Sequence, residues 1–331
     1  MESEKVYDLI IIGGSAAATA AGIYAARRNL NFKIITKDFC GEVATSGEIG
    51  NWPGISKTDG VTLSQQFKDH LKFYNVVPEE DVEVEKIAKQ NDGLFCLSAK
   101  KDGVAMASEK LEAEDGAALK CDYLAKTVII TTGVHPRELN IPGESEFRNK
   151  GVSYCTVCDG PVFAGRITAT VGGGNSALES ALMLADLSTK VYVLNKNPQF
   201  KGDQILIDNL NAKKNVEIIY DAKTTEIFGD QFVTGLKYTD VEGQPQELKL
   251  DGIFVHIGMI PNSGIAPEGT EKNNFGEIVV NKNCETSVPG LYAAGDVTDV
   301  PFNQIVIAAG QGTTALLSAV NYLNRLNKNK V

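Results

Sequence analysis

VYDLIIIGGSAAATAAGIYAARRNLNFKIIT, residues 6–36, decides the fold. Its apolar run, residues 9–12, reads as a strand of a parallel sheet buried on both faces. Gly13 and Gly14 break the run. An alanine-rich, periodic stretch follows, as expected of a helix packed closely on a sheet. Residues 32–36 read as a second strand. The stretch is therefore a strand, glycine turn, helix and strand.

The unit recurs in ITATVGGGNSALESALMLADLSTKVYVLN, residues 167–195, with its glycines at 172–174. As many positions separate Gly172 from Asn195 as separate Gly13 from Thr36. Two such units point to two dinucleotide-binding domains in one chain. The chemistry requires this arrangement. A pyrophosphate sits at a helix N-terminus, where unpaired N–H groups and the helix dipole favour negative charge, and glycines let the backbone approach it. The first copy departs from G-x-G-x-x-G, with Ser15 at the middle glycine and Ala18 at the last. Alanine is tolerated there; Ser15 adds a side chain where the pyrophosphate would lie.

The C-terminal stretch LYAAGDVTDVPFNQIVIAAGQGTTALLSAVNYL, residues 291–323, supports the nucleotide reading. It reads as a short strand ending at Gly295-Asp296 and a long helix starting near Gln304. Many flavoproteins carry such a strand-end Gly-Asp, whose acid holds the ribityl chain of FAD; an ordinary helix cap is the alternative. The expected fold is α/β, with two Rossmann-like domains of the FAD/NAD(P)-binding kind, the second inserted into the first. The FAD-binding domain is discontinuous, residues 1–135 and 261–331, and the NAD(P)-binding domain is residues 136–260. VIITTGVHPRE and IFVHIGMIPNS mark the junctions: each is an apolar strand followed by glycine and proline, which suits a hinge. Residues 78–124 read as a small sheet with loops in the first domain.

Composition narrows the partners. With 32 Lys and Arg against 42 Asp and Glu, the formal net charge is -10, and a chain without a basic cluster repels phosphate backbones. No nucleic-acid partner is expected. No apolar run approaches the ~20 residues of a membrane span, and the N-terminal residues lack the pattern of a secretory signal. The expectation is a cytoplasmic protein that does not enter membranes.

Six cysteines are too few for a disulfide scaffold. Cys40, Cys96, Cys121 and Cys284 read as buried small hydrophobes or bystander thiols. Only YCTVCDGPVF, residues 154–163, holds a spaced pair, Cys155 and Cys158. A zinc site takes four ligands; there is no second C-x-x-C, and His70, His135 and His256 are scattered and read as ordinary surface or packed residues. No metal is expected. A redox couple fits the spacing, since one thiol can attack while the other resolves the mixed disulfide. Asp159 follows at once, and Asp-Gly-Pro is strong turn chemistry.

The chain resembles the low-molecular-weight thioredoxin reductases along nearly its whole length. The matching elements are residues 13–18, Asn51-Trp52-Pro53-Gly54, Thr132-Gly133, Cys155-x-x-Cys158-Asp159-Gly160, Gly172-x-Gly174-x-x-Ala177, Gly295-Asp296 and Gln304. From Lys201 onward it is more similar to the flavoprotein subunit of alkyl hydroperoxide reductase. The N-terminal thioredoxin-like domains of that subunit are not expected here, because residue 6 already opens the first unit. The resemblance implies an FAD site formed by Gly13, Ser15 and Ala16, then Thr36, Gly41 and Glu42. Asn51, Thr132 and Gly133 complete its middle, with Gly295, Asp296, Gln304 and Ile305 at the C-terminal side. It implies a nicotinamide nucleotide, NADH or NADPH, at Gly172, Gly174, Asn175, Ser176 and Ala177. It further implies a homodimer, one redox disulfide per chain, rotation of the inserted domain and a thioredoxin or thioredoxin-like protein substrate. By resemblance Cys158 lies nearer the flavin, Cys155 attacks the substrate, and Asp159 acts as general acid for a leaving thiolate.

The electron donor stays open. An acid at the second strand's end reads the ribose 2′-OH of NAD, and arginines accommodate the 2′-phosphate of NADP. Here Asn195 and Lys196 stand at that place. Weak discrimination between NADH and NADPH is expected, with Asn195 reaching a 2′-OH and Lys196 a 2′-phosphate. Some relatives take electrons from ferredoxin, but those tend to lose the glycine turn that this chain keeps. A dithiol oxidase is a further alternative. Glu42, where the family usually has Gln, and Asn303, where many members have Arg, are departures that bear on flavin potential or electron entry.

Overall fold

The strand Val6–Ile12 lies inside its sheet, next to an edge strand, with Leu9, Ile10 and Ile11 fully buried. It pairs in parallel with Phe32–Ile35 on one side and Tyr123–Ile130 on the other. Tyr123–Ile130 in turn pairs in parallel with the short C-terminal strand Leu291–Ala293. Three antiparallel strands, Phe95–Lys101, Val82–Lys89 and Val104–Ala105, extend the sheet. Residues 78–124 thus join the main sheet where they are described. The computed structural model describes residues 6–44, 46, 48–106, 110–112 and 118–328; the rest of the stretch read as sheet and loops lies outside the described residues.

Small residues bring the helices close. Ala17, Ala18, Ala21 and Ala25 of the helix Ala16–Arg27 are buried. A side chain at Gly312 of the long helix Ile305–Lys328 would collide with the Ala17 carbonyl, so the two helices cross with their backbones nearly touching. Alanine-rich sequence on both helices is the local cause of this approach.

The second sheet has five strands, all parallel: Val152–Ser153, Gly252–Val255, Ile167–Val171, Lys190–Leu194 and Val216–Ile219, in that order. The helix Asn175–Leu187 packs on it through Leu178, Ala181 and Leu184, all fully buried. A three-stranded antiparallel sheet, Lys223–Gly229, Val233–Thr239 and Pro245–Lys249, adjoins in sequence.

The chain divides into two compact units, Met1–His135 with Ile260–Val331, and Pro136–Met259. The crossing segments Val134–Pro136 and Met259–Pro261 pair as a two-stranded ribbon. Cys40, Cys96, Cys121 and Cys284 are all buried. Among the described residues no helix is long and apolar enough to cross a membrane.

Candidate active site

In the first unit, the turn after Val6–Ile12 opens a cavity of about 1130 Å³. That exceeds the usual volume of a site for a drug-sized molecule and suits an extended ligand. Gly13 has φ +120°, and a Cβ there would overlap the carbonyl of Thr131; only glycine fits the turn. The helix Ala16–Arg27 begins at Ser15 without a side-chain cap. By contrast the helix Gly60–Phe73 is capped by Asp59, which accepts from the Thr62 N–H at 2.9 Å. The glycine-turn helix therefore keeps its first N–H groups available for an anion.

All of the expected FAD residues line this cavity except Asn51. Asn51 lies one contact away, donating from Nδ2 to Gln304 Oε1 at 3.0 Å. Thr36 closes the strand end by donating to the Asp38 carbonyl. Glu42 stands on the wall. The Asp296 side chain forms no hydrogen bond or ion pair with any described residue, and burial raises its carboxyl pKa. A half-enclosed acid without a partner among the described residues, beside an uncapped helix and a glycine cradle, fits a bound dinucleotide with hydroxyl groups.

Two cavity-site residues carry no local sequence signal. Gln311, in the middle of Ile305–Lys328, accepts from the Gly295 N–H at 2.8 Å and fixes the strand end that presents Asp296. Asn262 accepts from Thr132 Oγ1 at its carbonyl and donates from Nδ2 to the Thr132 carbonyl, both at 2.8 Å. His135 Nδ1 lies 2.6 Å from Asn262 Oδ1. Both of Asn262's partners lie over a hundred positions away in sequence, beyond any short motif.

In the second unit, Gly172 has φ +148° and a Cβ there would overlap the carbonyl of His256. Gly174 opens the helix Asn175–Leu187, again without a side-chain cap. Gly174, Asn175 and Ser176 are exposed and Ala177 is buried. The following loop folds back on this turn. Lys201 N–H donates to the Gly173 carbonyl at 2.8 Å. Asn175 donates from Nδ2 to Asp203 at 2.9 Å and accepts the Asp203 N–H at 2.7 Å.

Asn195 has a different duty from the ribose contact expected of it. It is 1% exposed. Its Nδ2 donates to the Gln199 carbonyl at 2.8 Å, and its Oδ1 accepts the Asn197 N–H at 3.3 Å. The side chain organises the 195–199 loop from within. Lys196, next to it, is exposed and reaches solvent.

Cys155 and Cys158 form a disulfide with Cα atoms 5.4 Å apart. Cys155 is the N-cap of the one-turn helix Thr156–Asp159, its sulfur accepting the Cys158 N–H at 3.2 Å. Buried Ser153 sits behind the turn. Its Oγ accepts the Cys155 N–H at 3.0 Å and donates to Asp159 Oδ2 at 2.6 Å. One hydroxyl thus fixes both the backbone of the cysteine expected to attack and the carboxyl expected to protonate a thiolate. Ser153 is not among the residues expected from sequence, although its place two residues before the first cysteine is a usable signal.

Comparison with known proteins agrees with this geometry. Residues 7–312 match the family model described as pyridine nucleotide-disulphide oxidoreductase. The chain is 41% identical over 323 residues to a protein named NADH dehydrogenase from Bacillus subtilis (strain 168), covering 97% of this chain and 60% of that protein. It is 40% identical over 327 residues to alkyl hydroperoxide reductase F of Escherichia coli (strain K12), covering 98% of this chain and 60% of the relative. The chain thus spans about 60% of the length of these curated relatives. Among solved structures, thioredoxin reductase of Lactococcus lactis superposes with a TM-score of 0.80 at 28% identity, covering 96% of this chain and 99% of that one.

Proposed function

The chain belongs to the pyridine nucleotide-disulphide oxidoreductase family, and on that premise we propose that it is an FAD-dependent disulfide reductase. It passes electrons from NAD(P)H to the Cys155–Cys158 pair and on to a thioredoxin-like protein disulfide. The observation that carries this reading is the dithiol turn, in which the closed disulfide, the Ser153 hydroxyl and the Asp159 carboxyl share one hydrogen-bonded loop. The Gly13 turn, Asp296 and Gln304 would hold FAD, which would supply a two-electron relay between the nicotinamide and the disulfide. NADH is the favoured donor. The strand end lacks the arginines that select a 2′-phosphate, and the similarity to a protein named NADH dehydrogenase points the same way.

The thiol steps use this chain's own residues. Cys155 Sγ, as thiolate, attacks one sulfur of the substrate disulfide; the substrate S–S bond breaks and a mixed disulfide forms. Asp159 gives a proton to the departing thiolate. Cys158 Sγ then attacks Cys155 Sγ, releasing the second substrate thiol and closing the Cys155–Cys158 bond. Two electrons and two protons reopen it for the next cycle.

The test is an anaerobic titration of the FAD-loaded protein with NADH, NADPH and reduced ferredoxin in separate arms. One equivalent of NADH should bleach the flavin band or expose two new thiols per chain, and a second should complete both. Cys155→Ser and Cys158→Ser should retain FAD, lose the new thiols and lose disulfide turnover. A protein that cannot hold FAD, or a Cys variant with wild-type turnover, overturns the proposal. Reduction by ferredoxin alone would keep the dithiol chemistry and overturn the nicotinamide donor.

A further inference from the structure

His256 is a titratable group in contact with the dithiol turn that the thiol steps above do not use. Its Nε2 lies 2.9 Å from Thr156 Oγ1, and Thr156 Oγ1 lies 2.6 Å from Ser180 Oγ. Ser180 in turn lies 3.4 Å from Thr170 Oγ1. Thr156 is one of the two residues between the cysteines. The other, Val157, is 42% exposed, whereas Thr156 is 5% exposed. Of the two residues between the cysteines, Thr156 is thus the one that ties the turn to the unit's interior, and its side chain ends on His256 and Ser180, beside the Ser153 contacts to Cys155 and Asp159.

The anchor starts from a rigid base. His256 follows the internal strand Gly252–Val255, its N–H donates to the Val171 carbonyl at 2.8 Å, and its own carbonyl lies against the Cα of Gly172. Ser180 is buried in the middle of the helix Asn175–Leu187. One hydroxyl proton on Thr156 faces two neighbours. A neutral imidazole can accept or donate at Nε2, so it can complete the chain in either direction. Desolvation by burial lowers His256 to a pKa of about 4, so the ring is neutral near pH 7.

We infer that His256, acting through the Thr156 hydroxyl, is a positioning residue for the dithiol. It pins the turn so that Cys155 and Cys158 stay within closing distance when the bond between them is open. This rests on the disulfide-reductase reading. A disulfide holds its own geometry, but an open dithiol turn does not, and loosening it lowers the effective concentration of one sulfur at the other. Closing forms the Cys155 Sγ–Cys158 Sγ bond and passes two electrons and two protons to an external disulfide. Without the anchor, closing becomes less favourable and the disulfide easier to reduce.

The test equilibrates the FAD-loaded protein anaerobically with mixtures of reduced and oxidised dithiothreitol. After acid quenching and alkylation, labelled Cys155 and Cys158 are counted by peptide mass spectrometry, which requires neither the electron donor nor turnover. His256→Ala and Thr156→Val should each shift the thiol–disulfide equilibrium about tenfold towards the dithiol. For a two-electron couple that makes the potential about 30 mV less negative. His256→Gln and Thr156→Ser, which keep a hydrogen-bonding group in place, should stay within about twofold of wild type. Thermal unfolding checks that each variant is folded; if His256→Ala is not, His256→Leu carries the same expectation. An unchanged equilibrium in the folded alanine or leucine variant overturns the inference. So does a shift confined to Thr156→Val, which would make Ser180 the anchor. If the wild-type pair never closes at any ratio, the disulfide-reductase reading falls instead.

Discussion

The turns at Gly13 and Gly172 are built alike and finished differently. Each follows a buried strand, each has positive φ, and each presses its Cα against a carbonyl of a neighbouring segment, Thr131 in one case and His256 in the other. Each opens a helix that has no side-chain cap. Around Gly13, segments distant in sequence stand back and leave a cavity of about 1130 Å³. Around Gly172, residues 196–203 fold back on the turn, and Asp203 occupies the side chain of Asn175. The same local motif thus borders a large cavity in one unit and is an exposed helix end in the other. A glycine turn supplies donors for a phosphate; the space for the rest of the ligand comes from whatever else packs there.

The largest expected effect tests the shared part of the comparison. Gly13→Ala would place a Cβ onto the Thr131 carbonyl at a φ that L-residues rarely adopt. Strain and overlap together should cost about 2–4 kcal/mol and most of the bound FAD. Gly174→Ala meets no atom within 4 Å and has φ -97°, so its cost should be about 1 kcal/mol or less. Denaturant midpoints and flavin per chain check both. Equal losses in the two variants would mean that the close approach at Gly13 does not govern the turn.

A second, smaller effect separates the carbonyl-bearing residues. The Thr131 hydroxyl donates to the Ile12 carbonyl at 2.7 Å and does not titrate, whereas His256 does. Burial depresses His256 from its ordinary 6.5 to about 4. Between those values the unfolded chain takes up a proton that the folded chain refuses, so stability falls as pH drops from 6.5 towards 4. The loss from this residue is at most about 3–4 kcal/mol. Unfolding measured across that range, wild type against His256→Gln, should show a shallower acid slope in the variant. Parallel slopes would remove His256 as the acid-sensitive point of the second unit.

The smallest effect concerns the dithiol turn, which only the second unit carries. Ser153→Ala removes the hydroxyl that bonds the Cys155 N–H and one Asp159 oxygen. A cost of about 1–2 kcal/mol and a roughly tenfold slower disulfide turnover are expected, with FAD content unchanged. Stopped-flow reduction of a protein disulfide, alongside a flavin count, makes the check. Loss of FAD would show that the two units do not keep their duties apart.

The sequence by itself determined what depends on neighbours along the chain. The apolar runs at 9–12 and 167–171, the glycines that end them and the alanine-rich helices after them announced two parallel βαβ units, because strand burial, positive φ and close helix packing each demand particular residue types locally. The Cys155-x-x-Cys158 spacing announced the redox pair in the same way. Tertiary structure alone decided which side chains are spent on the protein itself. Asn195 looked available to a ribose, yet burial and the Gln199 carbonyl claim it. His256 looked like an ordinary histidine, yet 100 positions of intervening chain bring its ring to Thr156. Gln311 and Asn262 reached the cavity site by the same route. The physical reason is that a hydrogen-bonding group is committed by whatever partner packing brings within about 3 Å, and that partner is set by long-range chain crossings that no short stretch of sequence encodes.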